Sequence, residues 1–357
     1  MTLIFIIIFI SILILVHEWG HFYAARRLGV RVDEFGIGFP PRLFSTIRRG
    51  VRYSFNLFPF GGFVRIFGEH GEGEDNRASF AGRSAWQRFL ILAAGVGMNL
   101  ILAWVLFSGA SAIGVPRSAG EDGEELVGVP VSILGTLPGS PAEEAGLKLG
   151  DQILEIRAPE VSLRIEKEED IQQFVAAYKG EEIILVIRRQ GEIREFAVVP
   201  RISVPEGEGP LGVALGRVVI ERSPWYLAPV AGARTLARSI VAIIAGLAVF
   251  FLELFSRGRV PGGVSGPIGI LIIAQDSVAL GIAYFLQFIG LLSVNLAILN
   301  FLPIPALDGG RALFVLIEKI KGSRVNPRVE QIAHGLGFML LVLLMLLVTY
   351  KDIARVL

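Results

Sequence analysis

Long apolar runs separated by short polar segments set the framework of this chain. Residues 3–23 and 89–107, then 278–303 and 332–350, each approach the ~20 apolar residues that cross a bilayer, so four membrane spans are expected. Ser239 to Leu252 is equally apolar but only 14 residues long, bounded by Arg238 and Glu253, which predicts an interfacial helix within a linker at 203–277. Between the first two spans the period changes. Arg52 to Leu57 alternates polar and apolar, as a half-buried strand does. Pro59 and Gly61-Gly62 then turn the chain, and Phe63 to Ile66 returns, predicting a membrane-associated β-hairpin over 51–66. Such a hairpin either lies on the membrane or offers a sheet edge to an extended substrate. Gly68 to Asn76, rich in glycine and acid, reads as a linker.

From Pro116 the pattern becomes that of a water-exposed domain. Ser140 is placed to cap a short helix, with Pro141 at its first position, Glu143 completing a capping box and Gly146 ending it. Gly150-Asp151 turns into a strand, Gln152 to Ile156. Ile171, Phe174, Val175 and Tyr178 trace one face of a second helix. Glu182 to Arg188 and Ile193 to Val199 form a hairpin across Gln190-Gly191. This order, and the run from Gly139 to Ile156 above all, resembles a PDZ domain of the bacterial protease type. Asn-Gly usual after that strand is replaced by Arg157-Ala158-Pro159. The expected architecture is therefore a multi-pass membrane protein, mainly α-helical in its transmembrane core, with an inserted α+β domain. An N-terminal membrane core takes 1–113, the PDZ-like domain 126–202, the linker and interfacial helix 203–277, and a C-terminal membrane core 278–357.

Composition narrows the chemistry. Hydrophobic residues make up 53% of the chain and charged ones only 19%, which excludes an ordinary soluble domain. The absence of cysteine rules out disulfides and thiolate ligands, so a metal would need histidine and carboxylate. Net charge is +1 and uninformative; no nucleic-acid partner is expected. The placement of charge says more. Arginines crowd the segment after the first span, from Arg26 to Arg65, and basic residues recur from Arg311 to Arg328, which puts both on the cytoplasmic side. The first run lacks a basic leading region and a small-residue cleavage site, so no signal peptide is expected.

Two of the four histidines close the first span in His17-Glu18-Trp19-Gly20-His21. Positions four apart share a helix face, so both imidazoles can reach one metal, with Glu18 beside them to take a proton from water. At the end of a membrane span such groups need a compensating role. A catalytic zinc takes three protein ligands and keeps one position open. His70, His334 and Asp308 are the candidates for the third. Asp308 reaches the side of His17 if Ser239 to Leu252 does not cross the membrane.

Together with Asn300-x-x-Pro303-x-Pro305-x-Leu307-Asp308-Gly309 and the inserted PDZ-like domain, these residues resemble the site-2 protease family of M50-type intramembrane zinc metalloproteases. The likeness is nearest to RseP-like bacterial regulators of sigma-factor signalling, in a single-PDZ form. The resemblance implies that His17, His21 and Asp308 hold Zn2+, that Glu18 is the general base, and that Asn300, Pro303 and Pro305 bind substrate. It also implies an inner-membrane enzyme with its site toward the cytoplasm and its PDZ domain on the opposite side. Its substrate would be a single-pass membrane protein, such as an anti-sigma factor, already cut once by another protease, with a C-terminal peptide as a partner for the PDZ domain. A catalytically silent PDZ-containing scaffold is the alternative.

Overall fold

The computed structural model describes residues 2–69, 71–73, 75–118, 129–137, 139–189, 191–205, 208–257 and 266–356. His70, Gln190 of the expected hairpin turn and the expected break at Gly262-Gly263 lie outside them. The chain begins with α1 (Thr2–Arg27), β1 (Val32–Arg48), β2 (Val51–Ile66) and α2 (Ala85–Ile113). There follow β3 (Val115–Ser118), β4 (Val131–Thr136), α3 (Pro141–Glu144), β5 (Gln152–Ala158), β6 (Val161–Arg164), α4 (Glu168–Ala177), β7 (Ile183–Arg189), β8 (Glu192–Val198) and β9 (Val213–Glu221). It ends with α5 (Ala228–Arg257), α6 (Pro267–Leu280), α7 (Ile282–Phe301), α8 (Asp308–Lys321) and α9 (Pro327–Val356). Two compact units result. One is Met1–Ala112 with Ser223–Val278 and Phe285–Leu357; the other is Ile113–Arg222 with Ala279–Tyr284.

In the first unit, five helices among the described residues are long and apolar enough to cross a membrane: Ile6–Arg27, Ala85–Ile113, Ala228–Leu254, Ile282–Phe301 and Arg328–Tyr350. The third of these is longer than the 14 residues expected of the interfacial helix. Arg238 and Glu253 do not end the helix, which runs through both of them from Ala228 to Arg257. The helix continues on both sides of Ser239–Leu252 into a 27-residue apolar stretch. It packs along α2, with Gly232 against Ser108 and with Leu236, Ile240 and Ile243 against Ala103, Phe107 and Val294. The length argument for four spans therefore fails. So does the boundary at 303: α7 stops at Phe301, before the prolines.

The expected hairpin over 51–66 is also corrected. Arg52–Phe55 and Gly62–Arg65 do not pair with each other. Both pair with Glu34–Ile37, one on each side, and Arg42–Arg48 then pairs with Val51–Asn56. The antiparallel strands β1 and β2 thus fold across one another into a sheet four segments wide. β1 carries no clear alternation, so only half of this sheet is visible in the pattern. Gly61 and Gly62 let β2 press against α1, where an added Cβ would lie 3.0 Å from Ile14 and 2.5 Å from Leu15 respectively. Glu34 is buried beneath the sheet and held by Arg42 at 2.8 Å. A core of Phe22, Ala25, Val32, Phe35, Ile66, Ile91, Leu92 and Val315 joins α1, the sheet, α2 and α8 around the end of the first helix.

The second unit is an α+β fold. Its strands lie in the order β3-β9-β4-β5-β7-β8, with β6 added on β5. Ser140 caps α3 by accepting the Glu143 N–H at 3.2 Å. Ile171, Phe174 and Val175 of α4 pack on Ile133, Ile153, Ile156, Leu185 and Ile187. Strand β9, which lies beyond residue 202, sits between β3 and β4 and belongs to the unit. Asp151, at the Gly-Asp turn, is buried and takes two bonds from Arg189, at 2.7 and 2.6 Å. Removing one partner of such a pair leaves the other charge stranded, at a cost of about 3–5 kcal/mol. Asp151→Ala is expected to destabilise this unit by about 3 kcal/mol, seen as faster amide exchange across β5 and β7 with exchange in α1 and α2 unchanged.

Candidate metal centre

The site is built from the ends of three elements of the first unit. On α1, one turn of helix sets His17 and His21 on the same face, both buried, with ring centroids 4.7 Å apart. Opposite them stands Asp308, the first residue of α8. Its Oδ2 lies 2.9 Å from Nε2 of His17 and 3.1 Å from Nε2 of His21, and the two Nε2 atoms are 3.1 Å apart. Among the described residues this is the one cluster of three such ligands. Three donor atoms about 2.0–2.2 Å from a tetrahedral zinc would lie roughly 3.3 Å from one another. The observed triangle is close to that face, and two imidazoles with a carboxylate are a donor set that zinc accepts.

The surroundings fix the form of each donor. Nδ1 of His21 lies 2.9 Å from the carbonyl of Ile91, which can only accept, so Nδ1 carries the proton and Nε2 keeps its lone pair for a metal. Nδ1 of His17 lies 3.4 Å from the side-chain amide of Asn99. Only hydrogen bonding distinguishes the oxygen and nitrogen of an amide. With Oδ1 turned toward His17, Nδ1 gains an acceptor, and a buried oxygen that otherwise has no hydrogen bond is satisfied. Asn99 is held in place where its own carbonyl accepts the Ser293 hydroxyl at 2.8 Å.

Glycine keeps the centre open. An added Cβ on Gly95 would lie 2.3 Å from Nε2 of His21, and one on Gly20 would lie 2.4 Å from the Ala94 carbonyl. Helix packing alone would explain glycines in α2. Their position shows a second purpose, since Gly95 faces the metal-binding atom itself. Beside the triangle Glu18 accepts the Val64 N–H at 2.9 Å through Oε2. Ile14, His17, Glu18, Leu296, Asn300, Ala306, Leu307 and Asp308 line a cavity of ≈ 190 Å³.

Of the residues expected to bind substrate, Asn300 is in this cavity, its Nδ2 3.3 Å from Nε2 of His17. Pro303 is not. It lines a separate apolar cavity with Phe301, Gly309 and Trp86, and Pro305 turns its carbonyl toward α9, where an added Cβ on Gly337 would lie 2.2 Å away. The prolines end α7 because neither can donate a backbone N–H, and the chain then doubles back so tightly that an added Cβ on Gly309 would lie 2.3 Å from the carbonyl of Phe301. His334, weighed as a ligand, stands apart from the triangle and accepts the Ala306 N–H at 2.7 Å. Asn99 is an intramembrane polar residue, and nothing in one sequence pairs it with His17, 82 positions away.

A model of peptidase family M50 matches residues 5–344. The chain belongs to peptidase family M50. This M50 peptidase is 33% identical over 353 residues to a Clostridium perfringens protein whose name is that of a zinc metalloprotease, covering 99% of this chain and 98% of the relative. It is 28% identical over 436 residues to the zinc metalloprotease RasP of Oceanobacillus iheyensis, across 99% of each chain. A similarly named protein of Fusobacterium nucleatum is 31% identical over 358 residues. The M50 peptidase is accordingly a multi-pass membrane zinc metallopeptidase of the site-2 protease type.

Gly95→Ala is expected to exclude zinc from the M50 peptidase, and Asn99→Leu to weaken zinc binding by about 10–100-fold. Metal content after dialysis against a graded chelator measures both.

Proposed function

We propose that this peptidase hydrolyses a peptide bond inside the transmembrane segment of a single-pass membrane protein, with His17, His21 and Asp308 as zinc ligands and Glu18 as general base. One observation carries the reading: two imidazole nitrogens and a carboxylate oxygen meet within 3.1 Å at the end of a membrane-length helix, with a carboxylate and a cavity beside them. Zinc, when bound there, supplies an electrophile for the scissile carbonyl and lowers the pKa of water to about 7. The rest is the work of the chain. Glu18 has one oxygen pinned by the Val64 N–H and the other available to take a proton from water and pass it to the leaving amine. A peptide bond in a helix has its backbone groups engaged, so the substrate must unwind before it is cut. Asn300 is placed to bond a freed backbone group. The segment Pro59–Val64 runs along Ser11, Ile14 and Glu18 and offers a strand edge beside the metal triangle. In this reading Pro303 and Pro305 act on substrate indirectly, by aiming Asp308 and Asn300.

The arginine-rich segment after α1 supports a cytoplasmic site in a cell membrane, with the α+β unit on the opposite side. That unit is read as a PDZ domain. A groove of ≈ 570 Å³ lies between α4 and β9, lined by Ile171, Gln172 and Val175 on one wall and Leu211, Val213 and Leu215 on the other. β9 pairs with β4 through Val213–Arg217 and with β3 through Val218–Glu221, so among the described residues no strand pairs with the outer edge of its first half, where a strand could be added. A C-terminal peptide exposed by an earlier cut is the ligand this groove suits, and an anti-sigma factor or similar regulator is the substrate class.

The test is the purified protein in lipid with a transmembrane peptide substrate. Glu18→Gln is expected to keep its zinc and lose activity by on the order of 10³-fold, and chelation to abolish cleavage until zinc is returned. Cleavage that survives in Glu18→Gln would remove the base from the mechanism. A wild type that neither holds zinc nor cuts would favour a scaffold.

A further inference from the structure

Asp308 is delivered to the metal triangle by a short loop, and the side chain that holds this loop lies on another helix. The loop begins where α7 ends at Phe301 and closes where α8 begins at Asp308. Its residue Ala306 has φ +84°, a left-handed conformation that costs a non-glycine residue about 1–3 kcal/mol unless its surroundings enforce it. Two contacts from α9 do so. Nδ1 of His334 accepts the Ala306 N–H at 2.7 Å, and Gly337, one turn on, lets α9 close on the Pro305 carbonyl. An imidazole that accepts at Nδ1 carries its proton at Nε2, which here faces a Glu330 carboxylate oxygen 3.7 Å away, one turn back along α9.

We propose that His334 is a positioning residue for the metal centre. By accepting the Ala306 N–H it holds the strained turn that aims the Asp308 carboxylate at His17 and His21, and so ties the last helix to the active site. It is not one of the three donors and bonds Ala306, which lines the cavity, so its effect passes through the loop: losing the acceptor lets Ala306 relax and Asp308 swing from the triangle. This inference rests on the peptidase reading above.

The atom responsible can be isolated. His334→Asn puts an acceptor oxygen near the place of Nδ1, whereas His334→Gln carries its oxygen one bond further, toward the place of Nε2, and His334→Ala has none. Each full-length variant is purified in lipid, checked for yield and unfolding midpoint, and assayed twice: zinc retained against a graded chelator, and kcat and KM on the transmembrane peptide. The expected result is that His334→Asn stays near wild type while Gln and Ala lose zinc retention and kcat by on the order of tenfold, with KM little changed. The proposal is overturned if Gln matches Asn, if Asn falls as far as Ala, or if the loss appears in KM with zinc retention intact. Should Ala fail to fold, the Asn and Gln pair carries the comparison. A wild type without zinc or cleavage would instead sink the peptidase reading, which separates the two failures.

Discussion

Everything in the first unit depends on bringing three electron-rich atoms within 3.1 Å of one another in a largely apolar bundle. Without a cation this is an expensive arrangement, since each buried polar group must be compensated. The helices meet the cost by close approach and by hydrogen bonds from behind. Gly20 admits the backbone of α2 and Gly95 leaves space at the imidazole, while the Ile91 carbonyl and the Asn99 amide take the outer nitrogens. The inner nitrogens are then free for a metal. The features that look like helix packing and those that look like chemistry are one set of residues, and replacing glycine in α2 would disturb both.

The third ligand arrives differently. His17 and His21 share one helix face and are bonded from α2, but Asp308 stands just beyond a turn that two prolines and a left-handed alanine shape. This turn has the catalytic cavity on one side, lined by Asn300, Ala306 and Leu307, and an apolar cavity on the other, lined by Phe301, Pro303 and Gly309. Residues close in sequence thus face two separate spaces. Irregular backbone at membrane depth is tolerated where protein buries it, and α9 supplies part of that cover through His334 and Gly337.

The donor set was legible in the sequence because helix periodicity is strict: residues four apart share a face, whatever surrounds them. Asp308 stood beside His70 and His334 as a candidate, and the family resemblance singled it out. The capped helix at Ser140 and the Gly-Asp turn were equally plain, since both signals are local. What escaped depended on distance or on length. Ser239–Leu252 is too short to cross if Arg238 and Glu253 are its ends, but a charged side chain does not break a helix, and the backbone runs on through both. The partner of Arg52–Phe55 is the unpatterned Glu34–Ile37, and no period announces a strand whose faces are both covered. The Asn99–His17 and His334–Ala306 contacts join residues 82 and 28 positions apart, and one sequence holds no record of such pairs.

Glu18 links the two halves of the site. Its carboxylate is held by the backbone of Val64, in the very strand whose edge runs beside the metal triangle. That same strand is fixed to α1 at Ser11, whose hydroxyl donates to the Pro59 carbonyl at 2.9 Å and accepts the Gly61 N–H at 3.2 Å. A side chain cannot hold a strand edge without using some of its bonds, so the pairing capacity of Pro59–Val64 is partly spent on α1. A substrate strand arriving there would have to share the edge with Glu18 or displace it from Val64. Displacement would free the second carboxylate oxygen at the moment an extended peptide is present. In the proposed reading Glu18 keeps one oxygen for the proton throughout and gains the other only when an extended peptide takes its place at the Val64 N–H.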